Sequence, residues 1–298
     1  MNIHKPIALT TALLQHIQQQ LTGHFKQEVL IISCQPVHGG DINETYLLHT
    51  NVKKFFVKVN KAAWRQDMFE KEAMGLALLT SARCIDVPGV LLYGKYNEQI
   101  FLITTYIEKG TPSPDFWPRF GEQLAKLHTH TNTYFGLDHN NYIGSLAQDN
   151  TAQTRWSDFY AQRIISLMVM ANEKAVLESR YISTLEKLPG RLSELFPEEP
   201  PALLHGDLWS GNFMVNIQGL PVIYDPAVYY GNREMDIAMT LLFGGFDRKM
   251  YEAYHYHYPL QPGWENRIPF CQFYPLLVHL VLFGAHYEKQ VIDILKEV

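Results

Sequence analysis

Hydrophobic positions follow two rhythms along the chain. Up to about residue 107 most apolar runs are short and alternate with polar residues, the signature of half-buried strands. Such runs lie at 29–32, 45–48, 53–59, 88–93 and 99–106. Two segments in this part repeat at helical spacing instead. One is 7–22, with Ile7, Leu13, Leu14, Ile17 and Leu21 before Gly23; the other is 64–80, with Met68, Leu76 and Leu79 near one face. Beyond residue 108 the rhythm is mainly helical, over 116–130, 155–171, 182–195, 234–243 and 273–295. Phe120, Leu124 and Leu127 face inward in the first of these, and Ile237, Leu241 and Leu242 in the fourth. Segments 135–138 and 142–144 read as turns. The expected architecture is α+β, with a small antiparallel-sheet domain over 1–107 and a larger, mainly helical domain over 108–298.

Polar residues that interrupt the apolar pattern point to chemistry. In the strand 53–59, alternation sets Lys58 opposite Phe55, Val57 and Val59. Glu72 lies four residues from both Met68 and Leu76, within the apolar stripe of its helix. A carboxylate there is costly unless a cation meets it, and Lys58 is the cation to hand. Glu70 is the rival partner. A strand lysine paired with a helix glutamate is the device that steadies ATP phosphates in kinases. Gly39 and Gly40, ahead of the strand 45–48, suit a hairpin whose bare backbone approaches nucleotide phosphates. The full G-x-G-x-x-G pattern is absent. Tyr106, Ile107 and Glu108 stand where strands give way to helices, so their backbone is expected to receive adenine.

The stretch 203–231 carries the densest signal. Asp207 and Asn212 have the D-x-x-x-x-N spacing of a kinase catalytic loop. Residues 213–215 and 221–224 read as two strands joined by a turn at Gln218 and Gly219. That hairpin returns Asp225 to the side of Asn212, giving two oxygen donors suited to Mg²⁺. Asp207 is then the base that orients an acceptor hydroxyl. Asp225-Pro226-Ala227 stands in place of D-F-G, and no A-P-E segment follows, so a small acceptor is expected rather than a protein.

The run HGDLWSGN from His205 to Asn212, with DPAVYYGNREMD from Asp225 to Asp236, resembles the fructosamine kinase family, also called ketosamine-3-kinases. The resemblance extends along nearly the whole chain. It includes the EAxGL context of Glu72, the LAKLH ending at His128, and the closing apolar helix. Some members of that family carry a cysteine beside the paired glycines; this chain has Asp41. The resemblance implies a protein-kinase-like fold, related to aminoglycoside phosphotransferases and choline kinases. It implies ATP with Mg²⁺, and phosphorylation of the 3-hydroxyl of a ketosamine or glycated amine. The product would be unstable and shed its sugar, so the reaction would serve deglycation. Trp209 either stacks on the acceptor or anchors the loop in the core. Arg233 and Glu234 either touch the acceptor or, with Asp236, brace the loops around the site. Two rival functions stay in view: a kinase for another hydroxylated amine, and a non-catalytic nucleotide-binding module.

Composition narrows the setting. The 298-residue chain is 47% hydrophobic and 18% charged, as folded proteins are. Its net charge of −5 argues against a nucleic-acid partner. Three widely spaced cysteines fit free thiols in a reducing compartment. The first residues lack the apolar core of a signal peptide, and no stretch is long enough to span a bilayer. A cytoplasmic protein with no membrane partner is expected, as a monomer. His255 and His257 supply two possible metal ligands without an evident third.

Overall fold

The computed structural model describes residues 9–37, 43–62 and 65–297. Gly39, Gly40 and Asp41 lie outside the described residues, as does Trp64. The chain divides into two compact units, one of residues 1–81 and 87–109, the other of 82–86 and 110–298.

The first unit is built on a five-stranded antiparallel sheet. Its strands are β1 (Ile31–Pro36), β2 (Glu44–Thr50), β3 (Lys54–Lys61), β4 (Val90–Tyr96) and β5 (Gln99–Thr105), in the order β1-β2-β3-β5-β4. Helix α1 (Thr11–Phe25) is capped by the Thr10 hydroxyl, which accepts the Leu13 N–H. It buries Leu13, Ile17 and Leu21 in one core with Phe55, Val57 and Val59 of β3. That core claims one face of β3, and Lys58 therefore belongs to the other. Helix α2 (Met68–Ala82) buries Phe69, Ala73, Leu76 and Leu79.

Two boundaries differ from the pattern. Helix α1 runs through Gly23 and ends where Lys26 turns left-handed at φ 53°; a single glycine weakens a helix without stopping it. The first strand begins at Ile31 rather than 29. Val29 is buried ahead of it, while Ile32 is 70% exposed, so this apolar run is not a fully covered strand.

The second unit is mainly helical. Helix α3 (Phe116–His128) is followed by a small hairpin of β6 (Asn141–Ile143) and β7 (Leu146–Gln148), then α4 (Trp156–Glu173). A 3₁₀ segment, Ser179–Glu186, precedes α5 (Leu188–Leu195). Next come β8 (Ala202–Leu204), β9 (Phe213–Val215), β10 (Pro221–Ile223) and β11 (Tyr229–Gly231). Helices α6 (Glu234–Leu242), α7 (Arg248–His257), α8 (Trp264–Phe283) and α9 (Glu288–Leu295) complete it. Helices α4, α5, α6, α8 and α9 share one apolar core. Helix α3 lies against α7, and Gly121 makes the approach possible: a Cβ there would stand 2.1 Å from the Met250 carbonyl oxygen.

Three expectations for this unit are corrected. Segment 142–144 is part of a hairpin, not a plain turn. The single helix expected over 182–195 breaks into the 3₁₀ segment and α5, because Pro189 fits a helix's first turn and not its interior. Leu241 does not point inward: it is 37% exposed, and α6 instead buries the continuous stretch from Glu234 to Thr240. No helix among the described residues is long and apolar enough to cross a membrane.

Candidate active site

Strand β8 is fully buried and delivers the chain straight into the loop that begins at His205. Two turns of backbone chemistry fix the loop's start. The Asp236 carboxylate, 1% exposed near the start of α6, accepts the His205 N–H at 2.7 Å and the Gly206 N–H at 2.9 Å. Gly206 has φ +82°, and a Cβ on it would lie 2.1 Å from the Ala227 carbonyl oxygen, so glycine is required there twice over. The His205 ring donates from Nε2 to the Tyr224 carbonyl at 3.0 Å and accepts the Asp207 N–H on Nδ1 at 3.3 Å. Both bonds suit a neutral imidazole, and burial lowers its pKa in the same sense.

Asp207, Asn212 and Asp225 are brought near one another. Asn212 Nδ2 donates to the Asp207 carbonyl at 2.9 Å and to its carboxylate at 3.0 Å. Strands β9 and β10 pair antiparallel, Ile223 opposite Phe213, about a turn in which Gly219 has φ +78°. One step further, the Tyr224 N–H bonds the Asn212 carbonyl at 3.0 Å, which seats Asp225 beside Asn212. Asp225 is left-handed at φ 57°, a conformation that aspartate and asparagine tolerate better than other residues with a side chain. Burial pushes the Asp207 carboxyl well above the usual range, and the nearby charges of Asp225 and Asp236 add to the rise, while the Asn212 bond opposes it.

The donor set fits Mg²⁺. With Nδ2 committed to Asp207, Asn212 offers its amide oxygen, and Asp225 offers a carboxylate. Among the described residues no cluster of three or more His, Cys, Asp or Glu forms a protein-only metal cage. Mg²⁺ is commonly held by one or two protein oxygens together with phosphates and water, so this small set is of the right kind.

In the first unit, Lys58 Nζ meets Glu72 Oε1 at 2.6 Å, and both side chains are largely buried. The rival Glu70 is exposed. Thr105 closes β5: its N–H donates to the Gly89 carbonyl at 2.8 Å, and its hydroxyl accepts the Gly89 N–H at 2.9 Å. Tyr106 and Ile107 follow half-buried, and the exposed Glu108 carboxylate is paired with Lys54 at 2.7 Å.

Other expected site residues take different places. Trp209 is 37% exposed, so it is not a core anchor. Its indole lies over Gly211, where a Cβ would come within 2.2 Å of the ring. Arg233 and Glu234 are corrected as acceptor contacts: each is 2% exposed and already committed. Arg233 pairs with Glu199 at 2.7 Å, donates to the Tyr258 and Pro259 carbonyls, and stacks on the Tyr258 ring. Glu234 forms a forked pair with Arg267 at 2.6 and 2.7 Å. Burial raises the Glu234 pKa, and the Arg267 guanidinium pulls against that rise. These pairs tie the start of α6, and with it Asp236, to α8 and to the segments that follow α5 and α7. His255 and His257 are both exposed on α7 at a spacing that points them apart, and His255 Nδ1 accepts the Leu260 N–H at 3.3 Å.

The pattern missed a relay behind the loop. His128, fully buried at the end of α3, donates to Asp236 at 3.2 Å and meets the Tyr254 hydroxyl at 2.8 Å. The signal available was a histidine closing the apolar stripe of α3, which needs a polar partner once buried.

Comparison with known proteins bears on this geometry. The fructosamine kinase family model matches residues 13–298. The chain is 37% identical over 285 residues to a probable ketoamine kinase of Synechocystis sp., covering 95% of this chain and 96% of that protein. It is 39% identical over 279 residues to a probable ketoamine kinase of Vibrio parahaemolyticus, covering 93% and 96%. Among solved structures, a candidate fructosamine-3-kinase from Haemophilus somnus superposes with a TM-score of 0.85 at 30% identity, covering 94% of this chain and 96% of that one. An aminoglycoside phosphotransferase solved as a ternary complex with AMP-PNP and hygromycin B gives a TM-score of 0.62 at 15% identity, covering 94% and 98%; that likeness is one of fold alone, the kinase-like fold.

Proposed function

The chain belongs to the fructosamine kinase family and is a small-molecule kinase, and from that premise we propose that it transfers the γ-phosphoryl group of ATP to the 3-hydroxyl of a ketosamine. The observation that carries the reading is the grouping of Asp207, Asn212 and Asp225 on one braced loop and hairpin.

Phosphoryl transfer asks a protein for alignment and charge neutralisation more than for covalent chemistry. Lys58, held by Glu72, steadies the α- and β-phosphates of ATP. The backbone of Tyr106, Ile107 and Glu108 receives adenine. Asn212 Oδ1 and the Asp225 carboxylate would hold Mg²⁺, which when bound would neutralise phosphate charge. Asp207 accepts a hydrogen bond from the acceptor hydroxyl, orients its oxygen, and takes the proton as transfer proceeds. Its position is set by Asn212 on one side and by Asp236, through the backbone of His205 and Gly206, on the other. The exposed Trp209 indole, two residues from the base, offers its face to the sugar or to the protonated amine.

The test is incubation with Mg-ATP and a panel of a fructosamine, a ribulosamine, an aminoglycoside and choline. ADP release with either ketosamine supports the proposal. Release only with the aminoglycoside or choline overturns the acceptor, and tight ATP binding without any turnover overturns catalysis.

A further inference from the structure

A row of aromatic rings leads away from the catalytic loop. The Trp209 indole meets the edge of Phe243 at 5.8 Å between ring centroids. Phe243 meets His279 at 5.0 Å, and His279 meets Phe283 at 5.5 Å and Tyr287 at 5.1 Å. These rings come from three separate places: the loop itself, the end of α6, and the last turn of α8 with the segment after it. They are not hidden by the packing that joins them. Trp209 is 37% exposed, Phe243 39% and Phe283 45%.

The row is tied to the loop. After Phe243 the chain turns through Gly244 and Gly245, with φ +69° and +93°, and a Cβ on Gly245 would lie 2.6 Å from Cβ of Ser210. Only a glycine lets this turn sit against the residue next to Trp209. At the other end, His279 Nδ1 donates to the Pro275 carbonyl at 2.7 Å, which fixes the ring's orientation. Burial lowers the His279 pKa, so at neutral pH the ring is an uncharged member of the row.

Exposed apolar rings in a line that starts at a catalytic loop are suited to contact with a ligand. The line begins at Trp209, beside the base, and its successive ring-to-ring steps outrun a single sugar. We propose that Phe243, His279 and Phe283 form the subsite for the amine-borne group of the acceptor, and that it favours ketosamines whose amine carries an aromatic or bulky apolar substituent. This rests on the ketosamine reading and adds its specificity. Flat apolar groups gain from ring faces and edges what a methyl group cannot reach.

The experiment uses two ketosamines of one sugar, made from benzylamine and from methylamine. For the wild-type enzyme kcat/KM is expected to favour the benzyl compound by about tenfold or more, the value of one well-packed ring contact. Phe243→Ala and Phe283→Ala are each expected to cut that preference by about threefold or more, chiefly through KM of the benzyl compound. Equal use of the two compounds by the wild type overturns the subsite and leaves the kinase reading standing. So does a preference that survives both substitutions. Phosphorylation of neither compound removes the ketosamine reading and this subsite together. The wild-type ratio decides even if one variant folds poorly.

Discussion

Asp236 holds His205 by its backbone: the buried carboxylate accepts the His205 N–H at 2.7 Å, 31 residues back along the chain. The same carboxylate takes the Gly206 N–H and the His128 ring, so a single charge on α6 sets the residues immediately before Asp207. Asp236→Asn offers one acceptor atom where two are used, and it brings an N–H group to a donor-rich spot. Unfolding free energy is expected to fall by about 2–4 kcal/mol, the range for disrupting a buried charged hydrogen-bond network. Turnover is expected to drop by roughly 10²-fold, since a small displacement of a base is costly. Denaturant midpoints and kcat measured on one preparation check both.

The same carboxylate sets a pH dependence. Burial alone would raise the Asp236 pKa, but the hydrogen bonds from the His128 ring and the Gly206 N–H bring it below the ordinary value. The folded pKa is depressed, so its stabilisation is present above the unfolded value of about 3.9 and is lost as pH falls from there toward the lower folded value. Stability measured across that interval is expected to fall less steeply in Asp236→Asn than in the wild type. Identical slopes would count against a depressed carboxylate at this position.

Asp207 is expected to cost stability and supply rate. Asp207→Asn removes a carboxyl raised by burial and by the charges of Asp225 and Asp236. Turnover is expected to fall by about 10²–10⁴-fold, the usual range for a positioned base. The melting temperature is expected to hold or rise, and ATP affinity to stay within about threefold, because a late-acting base contributes little to nucleotide binding. Calorimetry and nucleotide titration of the variant separate these effects.

The ion pair of Lys58 and Glu72, at 2.6 Å with side chains 7% and 14% exposed, is expected to be strongly coupled. Glu72→Ala removes a buried partner of the Lys58 ammonium and is expected to cost about 3–5 kcal/mol. The double replacement Lys58→Met with Glu72→Leu is expected to recover much of that loss yet leave KM for ATP raised. A double-mutant cycle read by both stability and KM checks whether the lysine serves the nucleotide or only the core.

Local pattern revealed the parts of the site that depend on near neighbours. Alternation in β3 set Lys58 against Phe55, Val57 and Val59, and a glycine turn between two short apolar runs gave the hairpin that seats Asp225 beside Asn212. The parts that were not legible depend on distant pairing. Arg233 and Glu234 look like surface charges available to a ligand until Glu199 and Arg267, 34 and 33 residues away, close over them. His128 finds Asp236 across 108 residues. Exposure was equally hidden: periodicity turned Leu241 inward, but α6 is buried on every side from Glu234 to Thr240, and only its end, with Leu241, reaches the surface.

The most direct measurement is the position of the transferred phosphate. A fructosamine incubated with Mg-ATP and this protein, and followed by phosphorus–proton correlation NMR, is expected to show phosphate on the 3-oxygen, then slow release of the free amine. The signal is expected to vanish with Asp207→Asn. Phosphate at another oxygen, or ATP turnover that leaves the fructosamine unmodified, would contradict the account.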